Sequence, residues 1–343
     1  MEKETRLREK VLSGLKEIGK DANINADDYA FFDKQKETRY PVLIGLGGSH
    51  AYGTNIPTSD LDIRGIAMHE KEDILLGSGF EQFVEEKTDT VIYSFEKAVN
   101  LFTACNPNMI EMLGLKPEHY IYMNDIGRML YDNRTVFLSN HCVKTFMGYA
   151  NQQMYRLRQK TLDTFSKEEL NAHICKVIEN MRNTLEEQYD LKSIHFEVVD
   201  GEIVLDLNVE NYPIEKLSAV LGVFNKTIQD YNKRSKRNEY AMAHNKIAKH
   251  SMHLLRLYMM CEDLLLNGEI NTYREKEHDL LMDIRNGRYI GEDERPVKEF
   301  FDMVTEYENR LAYAKEHSVL PDKPNMKKIN KLVIEANSAM LGF

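Results

Sequence analysis

The chain has 343 residues and a formal net charge of −10; 42% of its residues are hydrophobic and 29% are charged. That balance is typical of a globular protein with a sizeable core, and the acidic total disfavours a protein that coats nucleic acid through a uniformly basic surface. A charged N-terminus and the lack of an apolar run near ~18 residues argue against a secretion signal and a membrane span. Four scattered cysteines without a C-x-x-C pair predict neither a disulfide framework nor a zinc site, and they indicate a cytoplasmic location.

The first part of the chain predicts a small α/β domain. Residues 4–19 have the apolar spacing of a short amphipathic helix, and 40–48, "YPVLIGLGG", has the pattern of a buried strand bounded by Pro and Gly. Further strands of a mixed sheet are predicted at 60–68, 80–86 and 88–94. From Phe95 onward, through "EHYIYMNDIGRML", the spacing becomes helical.

The second half predicts mostly long helices with one exception. Helices are expected at 139–160, 166–190, 213–236, 240–267, 277–286, 296–316 and 325–340. In residues 193–208, apolar and polar residues instead alternate on both sides of Asp200-Gly201. This pattern is a strong signal for a β-hairpin. We therefore expect an α+β fold with a small mixed-sheet domain over residues 1–135. A mainly helical domain that contains the hairpin is expected over 136–343.

One stretch, "GGSHAYGTNIPTSDLDIRG" (47–65), joins the first two predicted strands. Its glycines let the backbone approach a ligand closely, and the N–H groups of a helix that starts there point toward anions. Asp60 and Asp62 are expected on one face of the second strand, where two carboxylates repel each other unless a cation lies between them. Magnesium prefers oxygen ligands and retains substrate phosphates, so the stretch predicts a site for Mg²⁺ and a nucleotide's phosphates.

A Gly-Ser turn, a later glycine and then Ser-Asp-x-Asp resemble the signature of the polymerase-β-type nucleotidyltransferase superfamily. Together with residues 89–115 and 246–270, the motif resembles the RNA-repair-pathway polymerase-β family, a group of predicted nucleotidyltransferases. The resemblance implies a polymerase-β palm-like first domain and a third carboxylate from a later strand. Asp89 is expected in that position, and Glu85 and Glu86 are its alternatives.

The resemblance also implies roles for individual residues. Asp60, Asp62 and Asp89 are the expected catalytic residues and the ligands of Mg²⁺ or Mn²⁺, and Asp89 is expected to accept the proton of the attacking hydroxyl. Contacts with the nucleotide are expected from residues of the turn and of a later helix: Gly48, Ser49, Tyr52, Gly53, Ser59, Lys249, His253 and Arg256. His50, inside the turn, is a further candidate contact for ribose or base.

A polar face of the predicted helix at 240–267 carries Lys246, Lys249, His253 and Arg256, which are spaced three or four residues apart. One interpretation is that this face closes over the metal site and contacts the triphosphate or an acceptor phosphate. The competing interpretation is a solvated helix surface, which is the usual environment of charged side chains. The spacing is compatible with both.

Two further features leave alternatives open. Glu111 projects from a helix that begins near Asn106-Pro107, and it either orients a site residue or forms an interdomain ion pair. The basic run at 232–237, "NKRSKR", either contacts an RNA backbone or compensates the dipole at a helix C-terminus.

These features predict a magnesium-dependent nucleotidyltransferase that moves NMP from an NTP, with ATP favoured, to a hydroxyl and releases pyrophosphate. The family resemblance implies an RNA end, in repair or processing, as the acceptor. One alternative is nucleotidylation of a protein or small molecule, as in toxins or resistance enzymes. The other is a catalytically silent nucleotide-binding protein, which the presence of both aspartates and the Gly-Ser turn disfavours. The sequence leaves the oligomeric state open.

Overall fold

The computed structural model describes residues 7–19, 24–159, 194–199, 202–207, 211–222, 225, 246–292 and 295–343. Several predicted features lie outside these residues. They are the helix at 166–190, the basic run at 232–237, Cys175 and the Asp200-Gly201 turn of the hairpin.

A five-stranded mixed sheet is built from the first part of the chain. Its strands are β1 (Pro41–Leu46), β2 (Ile63–Ala67), β3 (Gln82–Glu85), β4 (Thr90–Ser94) and β5 (Tyr120–Met123). Their order across the sheet is β3-β4-β2-β1-β5, with β2 and β4 parallel and every other neighbouring pair antiparallel. The predicted α+β fold with a mixed sheet is therefore confirmed.

The burial of the central strands follows from their sequences. In β1 every residue from Val42 to Leu46 is buried, as expected for an unbroken apolar run inside a sheet covered on both faces. In β4 the buried residues alternate, since Thr90, Ile92 and Ser94 point to one side. The sequence predictions of strands at 40–48, 80–86 and 88–94 agree with β1, β3 and β4.

The fifth strand was missed, because residues from Phe95 through "EHYIYMNDIGRML" were predicted to be helical throughout. Tyr120–Met123 is a strand of only four residues. A helix starts directly after it at Asp125, and the side chain of Asn124 caps this helix by accepting a hydrogen bond from Gly127 N at 2.9 Å. A strand this short shows only two cycles of alternation, so the adjoining helical spacing masks it.

The helices of the described residues agree with most of the predicted ranges. They are α1 (Leu7–Glu17), α2 (Phe31–Lys34), α3 (Gly48–Tyr52), α4 (Lys71–Leu76), α5 (Phe95–Thr103), α6 (Pro107–Ile110), α7 (Asp125–Asp132), α8 (His141–Gln159), α9 (Lys246–Asn267), α10 (His278–Arg285), α11 (Lys298–Glu316) and α12 (Met326–Leu341). Residues 214–222 are also helical. No helix among the described residues is long and apolar enough to cross a membrane.

The chain divides into two compact units, and both are discontinuous in sequence. The first contains residues 1–152, 252–289 and 297–343, and the second contains 153–251 and 290–296. Two consecutive domains, 1–135 and 136–343, were expected from the sequence. The first unit groups most of α9, together with α10, α11 and α12, with the sheet. Arg256 in α9 forms an ion pair with Glu111, and residues in the connections between these helices also bond to earlier parts of the chain: Thr272 Oγ1 donates to Glu111 O at 2.7 Å, and Asn140 bonds to Asp322.

The second unit contains the predicted hairpin. Its strands are β6 (Ile194–Val199) and β7 (Glu202–Leu207), which pair antiparallel from Ile194 opposite Leu207 to Val199 opposite Glu202. This register leaves two residues between the strands, as the Asp-Gly step predicted.

Helix α1 packs against β5 at an unusually close contact. Val11 and Leu15 are fully buried on this side of the helix. Gly14 lies between them, and a Cβ atom at this position would stand 2.8 Å from the backbone oxygen of Ile121. Because that neighbour is backbone in a paired strand, the helix can approach the sheet only with glycine here.

We therefore expect Gly14→Ala to lower the stability of the protein by about 1–3 kcal/mol, although alanine is the better helix former. The measurement is urea unfolding followed by circular dichroism. Ser13→Ala, one residue earlier on the exposed side of α1, is the matched control and should leave the midpoint nearly unchanged. Equal midpoints for the two variants would contradict the close contact between α1 and β5.

Candidate active site

The Gly-rich turn starts where β1 ends. Gly47 is extended, and α3 begins at Gly48, whose φ of 53° lies in the left-handed region. A Cβ atom on Gly48 would collide with Asp62 Oδ2, so both the backbone conformation and the neighbouring carboxylate require glycine. Gly47 N donates to Asp62 O at 2.8 Å. The turn is thus fastened to the segment that carries Asp62, and the Asp62 carboxylate lies directly against it.

The two aspartates of the motif precede β2 rather than lying within it. The strand begins at Ile63, so the prediction of a strand from residue 60 was wrong by three residues, and the two carboxylates do not share a strand face. The chain is still turning just before them, because Ser59 Oγ accepts a hydrogen bond from Ile56 N at 2.9 Å. Asp60 is exposed, whereas the Asp62 side chain is only 17% exposed.

Asp89 lies beside Asp62 because β2 and β4 are parallel. Ile63 is in register with Thr90, and Ile63 N donates to Asp89 O at 3.2 Å, so the residue before each strand lies at the same edge of the sheet. Asp89 has a φ of 42°, which is uncommon for a residue other than glycine but several-fold enriched for aspartate. Its side chain is 53% exposed.

The alternatives for the third carboxylate are placed differently. Glu85 ends β3, and its Oε1 accepts a hydrogen bond from Lys87 N at 3.2 Å. Glu86 lines the same cavity as Asp89. Asp89 is adjacent to Asp62 through the paired strands, so the geometry favours it over both glutamates.

Arg64 joins the two carboxylates. Its Nη2 atom lies 3.4 Å from Asp62 Oδ1 and 3.1 Å from Asp89 Oδ1. Its Nη1 atom donates to the backbone oxygens of Ile63, at 2.9 Å, and of Asp89. The sequence interpretation gave Arg64 no role. The available signal was its position two residues after Asp62, which places both side chains on one side of an extended chain.

Two cavities adjoin this cluster. The larger, of about 740 Å³, is lined by Asp60 and Asp89 together with His50, Ser59 and Lys87. The smaller, of about 220 Å³, contains the glycine turn and is lined by Gly47, Gly48, Tyr52, Arg64, Tyr93, Asn108 and Glu111 among others. The volume of the larger cavity lies in the ordinary range for small-molecule sites.

The Asp62 and Asp89 carboxylates lie close enough together to bind one cation. Asp62 and Asp89 both contact the same nitrogen of Arg64, so they are close enough to share one positive group. Their oxygen atoms are the ligands that magnesium prefers. Within the described residues, no group of three or more His, Cys, Asp or Glu side chains is already arranged around a metal position. The residues that could hold a metal here are the Asp62–Asp89 pair, and the exposed Asp60 is not grouped with them in the described structure.

A buried polar network supports the turn from the other side. Tyr52, in α3, donates its hydroxyl proton to Glu111 Oε2 at 2.6 Å. Arg256, in α9, lies 2.7 Å from Glu111 Oε1, and its guanidinium carbon is 3.6 Å from the centre of the Tyr52 ring. Arg256, Tyr52 and Glu111 are all buried. The Arg256 guanidinium thus neutralises the Glu111 carboxylate and stacks on the Tyr52 ring, next to the glycine turn.

The electrostatics of this network keep its members in fixed protonation states. Burial raises the pKa of Tyr52 well above its usual range; the Arg256 charge opposes this rise, and the Glu111 carboxylate adds to it. Burial has the largest single effect on the pKa of Arg256 and would lower it, but the charge of Glu111, the neighbouring Tyr52 and the hydrogen bond to Glu111 together outweigh burial, so the pKa is raised. Tyr52 therefore stays a hydrogen-bond donor and Arg256 stays charged at physiological pH.

Three residues that were predicted to contact the nucleotide make contacts within the protein: Tyr52, Gly53 and Arg256. Arg256 and Tyr52 were expected to contact the nucleotide; the Tyr52 hydroxyl donates to Glu111, and Nη1 of Arg256 contacts Glu111 and Met260. Gly53 ends α3 with a φ of 74°, and a Cβ atom there would collide with the ring of Tyr273. The close contact with Tyr273 and the positive φ explain why position 53 requires glycine. Glu111 thus forms an ion pair that links the first part of the chain to α9, as one of the two alternatives proposed.

The other predicted nucleotide ligands are distributed over both units. Ser49 is buried at the start of α3, and His253 packs edge-on against Tyr52, with ring centres 5.7 Å apart. Lys249 is half-buried and belongs to the second unit. Lys246 begins α9. On the predicted polar face of α9, the two C-terminal residues, His253 and Arg256, contact Tyr52 in α3.

The chain has a mixed sheet, a glycine turn after β1 and aspartates just before the parallel strands β2 and β4, and this arrangement is consistent with a polymerase-β-like nucleotidyltransferase domain. The family model described as RNA repair pathway DNA polymerase beta family matches residues 19–187. This range is just under half of the 343 residues, and the match supports the family resemblance that the sequence motif predicted. The matched range contains the turn, Asp60, Asp62, Arg64 and Asp89.

A curated relative comes from a bacteriophage. An uncharacterized 38.9 kDa protein in the nrdC-mobD intergenic region of Enterobacteria phage T4 is 29% identical over 125 residues. The match covers 33% of this chain and 37% of the phage protein, so it spans little more than a third of the relative's length. No solved structure matches the chain.

The buried network below the turn can be tested by stability. We expect Arg256→Met to cost about 3–5 kcal/mol, because Glu111 would remain buried without its charge partner. The double variant Arg256→Met/Glu111→Gln should recover part of this loss. Unfolding in urea gives all three values.

The matched control is Lys298→Met, which removes one partner of an exposed i,i+4 ion pair with Asp302 and should change stability little. If Arg256→Met were no more destabilising than Lys298→Met, the ion pair between Arg256 and Glu111 would not support the turn.

Proposed function

We propose that this protein is a divalent-metal-dependent nucleotidyltransferase that transfers NMP from an NTP to a hydroxyl group and releases pyrophosphate. The family match supports the reaction class, since polymerase-β-like nucleotidyltransferases generally use divalent metals and nucleoside triphosphates. The observation that carries the proposal is the convergence of Asp62 and Asp89 on one nitrogen of Arg64, beside the glycine turn. Mg²⁺ is the proposed metal, with Mn²⁺ able to replace it, and ATP is the proposed nucleotide.

Each part of the site has a proposed task. Asp60, Asp62 and Asp89 hold the metal, which neutralises the charge that develops on the phosphates when it is bound. The half-exposed Asp89 carboxylate takes the proton of the acceptor hydroxyl. The hydroxyl oxygen bonds to the α-phosphorus, the bond from that phosphorus to the bridging oxygen breaks, and pyrophosphate leaves with the bonding electron pair.

The nucleotide is proposed to lie across the turn. Gly48, with its backbone open to the smaller cavity, and Ser49 are proposed phosphate contacts. Ser59 and His50, which line the larger cavity, are proposed contacts for the sugar or base. His253 stays a proposed nucleotide contact as well. Arg256, Tyr52 and Gly53 are proposed to hold the turn in place.

An RNA end is the proposed acceptor, in repair or processing, as the family name suggests. We also propose that the reaction takes place in the cytoplasm. Cys105, Cys142 and Cys261 are buried free thiols, which accords with a reducing compartment. A protein side chain or a small molecule as acceptor is the alternative that the test below distinguishes.

The test is a transfer assay with each of four α-³²P-labelled NTPs, Mg²⁺, and total RNA present or absent, resolved on denaturing gels. We expect label on RNA, strongest with ATP, and no label when EDTA is added. Label on protein with none on RNA would move the acceptor to a side chain. No label on any product from any NTP would contradict the transferase proposal.

In the same assay, we expect Asp60→Ala and Asp62→Ala each to lower transfer by at least about 100-fold, because each removes a carboxylate from the metal site. Asp302→Ala, which removes an exposed carboxylate on α11, is the control and should retain full activity. Circular dichroism should show that Asp60→Ala keeps the fold, since this side chain is exposed. Full transfer by either motif variant would overturn the metal assignment.

A further inference from the structure

We propose that a basic groove at the end of the sheet opposite the candidate active site binds the phosphate backbone of single-stranded RNA. The groove is thus a second contact with the RNA acceptor, remote from the carboxylates. The inference deepens the proposed function, in which RNA is the acceptor, and rests on it. None of the residues that line the groove lines either cavity beside the glycine turn.

The groove is a cavity of about 820 Å³, larger than either cavity beside the glycine turn. It lies where β1 starts and where β2 and β5 end, and residues of α1 and α2 line its walls. Since β1 has six residues and a strand rises about 3.3 Å per residue, the groove is roughly 20 Å from Gly47. Every residue that lines it belongs to the first compact unit.

Hydrogen bonds between segments far apart in sequence fix the shape of the groove. Met68 N donates to Tyr40 O at 2.8 Å. Asn124 Nδ2 donates to Pro41 O at 2.9 Å, and Asn124 N donates to Val42 O at 3.0 Å. A ligand therefore meets walls that are already in place, which lowers the entropic cost of binding.

The lining carries an excess of positive charge, although the whole chain has a net charge of −10. Four basic residues and one acidic residue line the groove: Arg8, Lys10, Lys34, Arg39 and Asp33. Both lysines are exposed. Among the residues that the structure describes, neither of them forms an ion pair. Their ammonium groups can therefore contact the phosphates of a ligand in the groove.

The two arginines can also contact phosphate, although each has a carboxylate partner. Arg8 Nε lies 3.3 Å from Asp33 Oδ2, and Arg39 pairs with Glu70 through Nη1. The Arg39 side chain is 59% exposed. Ion pairs exposed to this degree are weak, and a guanidinium has five N–H donors, so donors remain for a phosphate oxygen.

Aromatic rings in the groove favour RNA over an acidic segment of another protein. Tyr40 and Tyr122 line the groove, and Lys10 Nζ lies 5.7 Å from the centre of the Tyr122 ring. Tyr40 is 39% exposed. Single-stranded nucleic acids engage both kinds of group, since cations contact their phosphates and aromatic side chains stack on their bases. An acidic peptide needs only the cations.

The experiment measures the binding of a fluorescein-labelled single-stranded RNA of about 20 nucleotides, longer than the usual site of a single-strand binder. Fluorescence anisotropy follows binding in EDTA and without NTP. Full-length wild type is compared with Lys10→Glu/Lys34→Glu. We expect the double variant to bind about tenfold more weakly. We also expect the slope of log affinity against log salt concentration to become shallower by about 1.4, the value for two lost phosphate contacts.

The matched control is Lys323→Glu/Lys327→Glu, which changes the net charge equally at exposed positions near the start of α12. Its affinity for the RNA should stay close to that of wild type. Equal affinities of wild type and the groove variant, or an equal loss in the control, would overturn the proposal.

Two further measurements decide between RNA and an acidic protein segment. Tyr40→Ala should weaken RNA binding by about fivefold or more without changing the salt slope, because base stacking releases no counter-ions. Polyglutamate at equal charge concentration should displace the labelled RNA far less than unlabelled RNA does. If Tyr40→Ala binds like wild type and polyglutamate competes as well as RNA, the groove selects charge alone and the RNA proposal is wrong.

The groove and the reaction can fail separately. Weaker RNA binding by the groove variant, with no NMP transfer by wild type, would support the groove and refute the transferase. NMP transfer to RNA by wild type, with equal RNA affinities for wild type and the groove variant, would support the transferase and refute the groove.

Discussion

The parallel pairing of β2 with β4 is the constraint on which the site depends. Asp62 and Asp89 are far apart in sequence, and only the register of Ile63 with Thr90 brings them to one edge of the sheet. The antiparallel pairing of β1 with β2 adds the glycine turn to the same edge, since Gly47 bonds to Asp62. Three short segments thus meet where β1 ends and where β2 and β4 begin. Backbone hydrogen bonds fix all three strands, so the negative charges of Asp62 and Asp89 are held close together at this edge. The positive charge of Arg64, which lies in β2, compensates them.

The C-terminal helices complete the unit because they carry the partner of a buried charge. Glu111 lies below the turn, where an uncompensated carboxylate would be strongly unfavourable. Arg256 from α9 supplies the opposite charge, and Tyr52 from α3 supplies a hydrogen bond. One network therefore links the turn, α6 with the helical turn after it, and α9. This linkage explains why a segment more than 140 residues later in the chain packs with the sheet, and why the first compact unit is discontinuous.

Local patterns predicted the class of the fold and the segments that the strand pairing brings together at the candidate site. The apolar run of β1, the Asp-Gly step of the hairpin and the Gly-Ser…Asp-x-Asp motif are each contained in a few neighbouring residues. Features set by distant contacts were missed or misplaced. The helical spacing of His253 and Arg256 is the same whether the face meets solvent or α3, so Arg256 was expected to bind nucleotide although it is buried. Arg64 acquires its role only from the register of β4, and the grouping of α10 to α12 with the sheet depends on contacts across the chain.

The central claim is that the carboxylates beside the glycine turn bind a divalent metal together with an NTP. Crystals grown with Mn²⁺ and a non-hydrolysable ATP analogue, measured at the manganese absorption edge, test it most directly. We predict an anomalous peak within coordination distance of the Asp62 carboxylate, with the analogue's phosphates beside Gly48. Manganese at another position, or phosphates bound away from the turn, would contradict the claim.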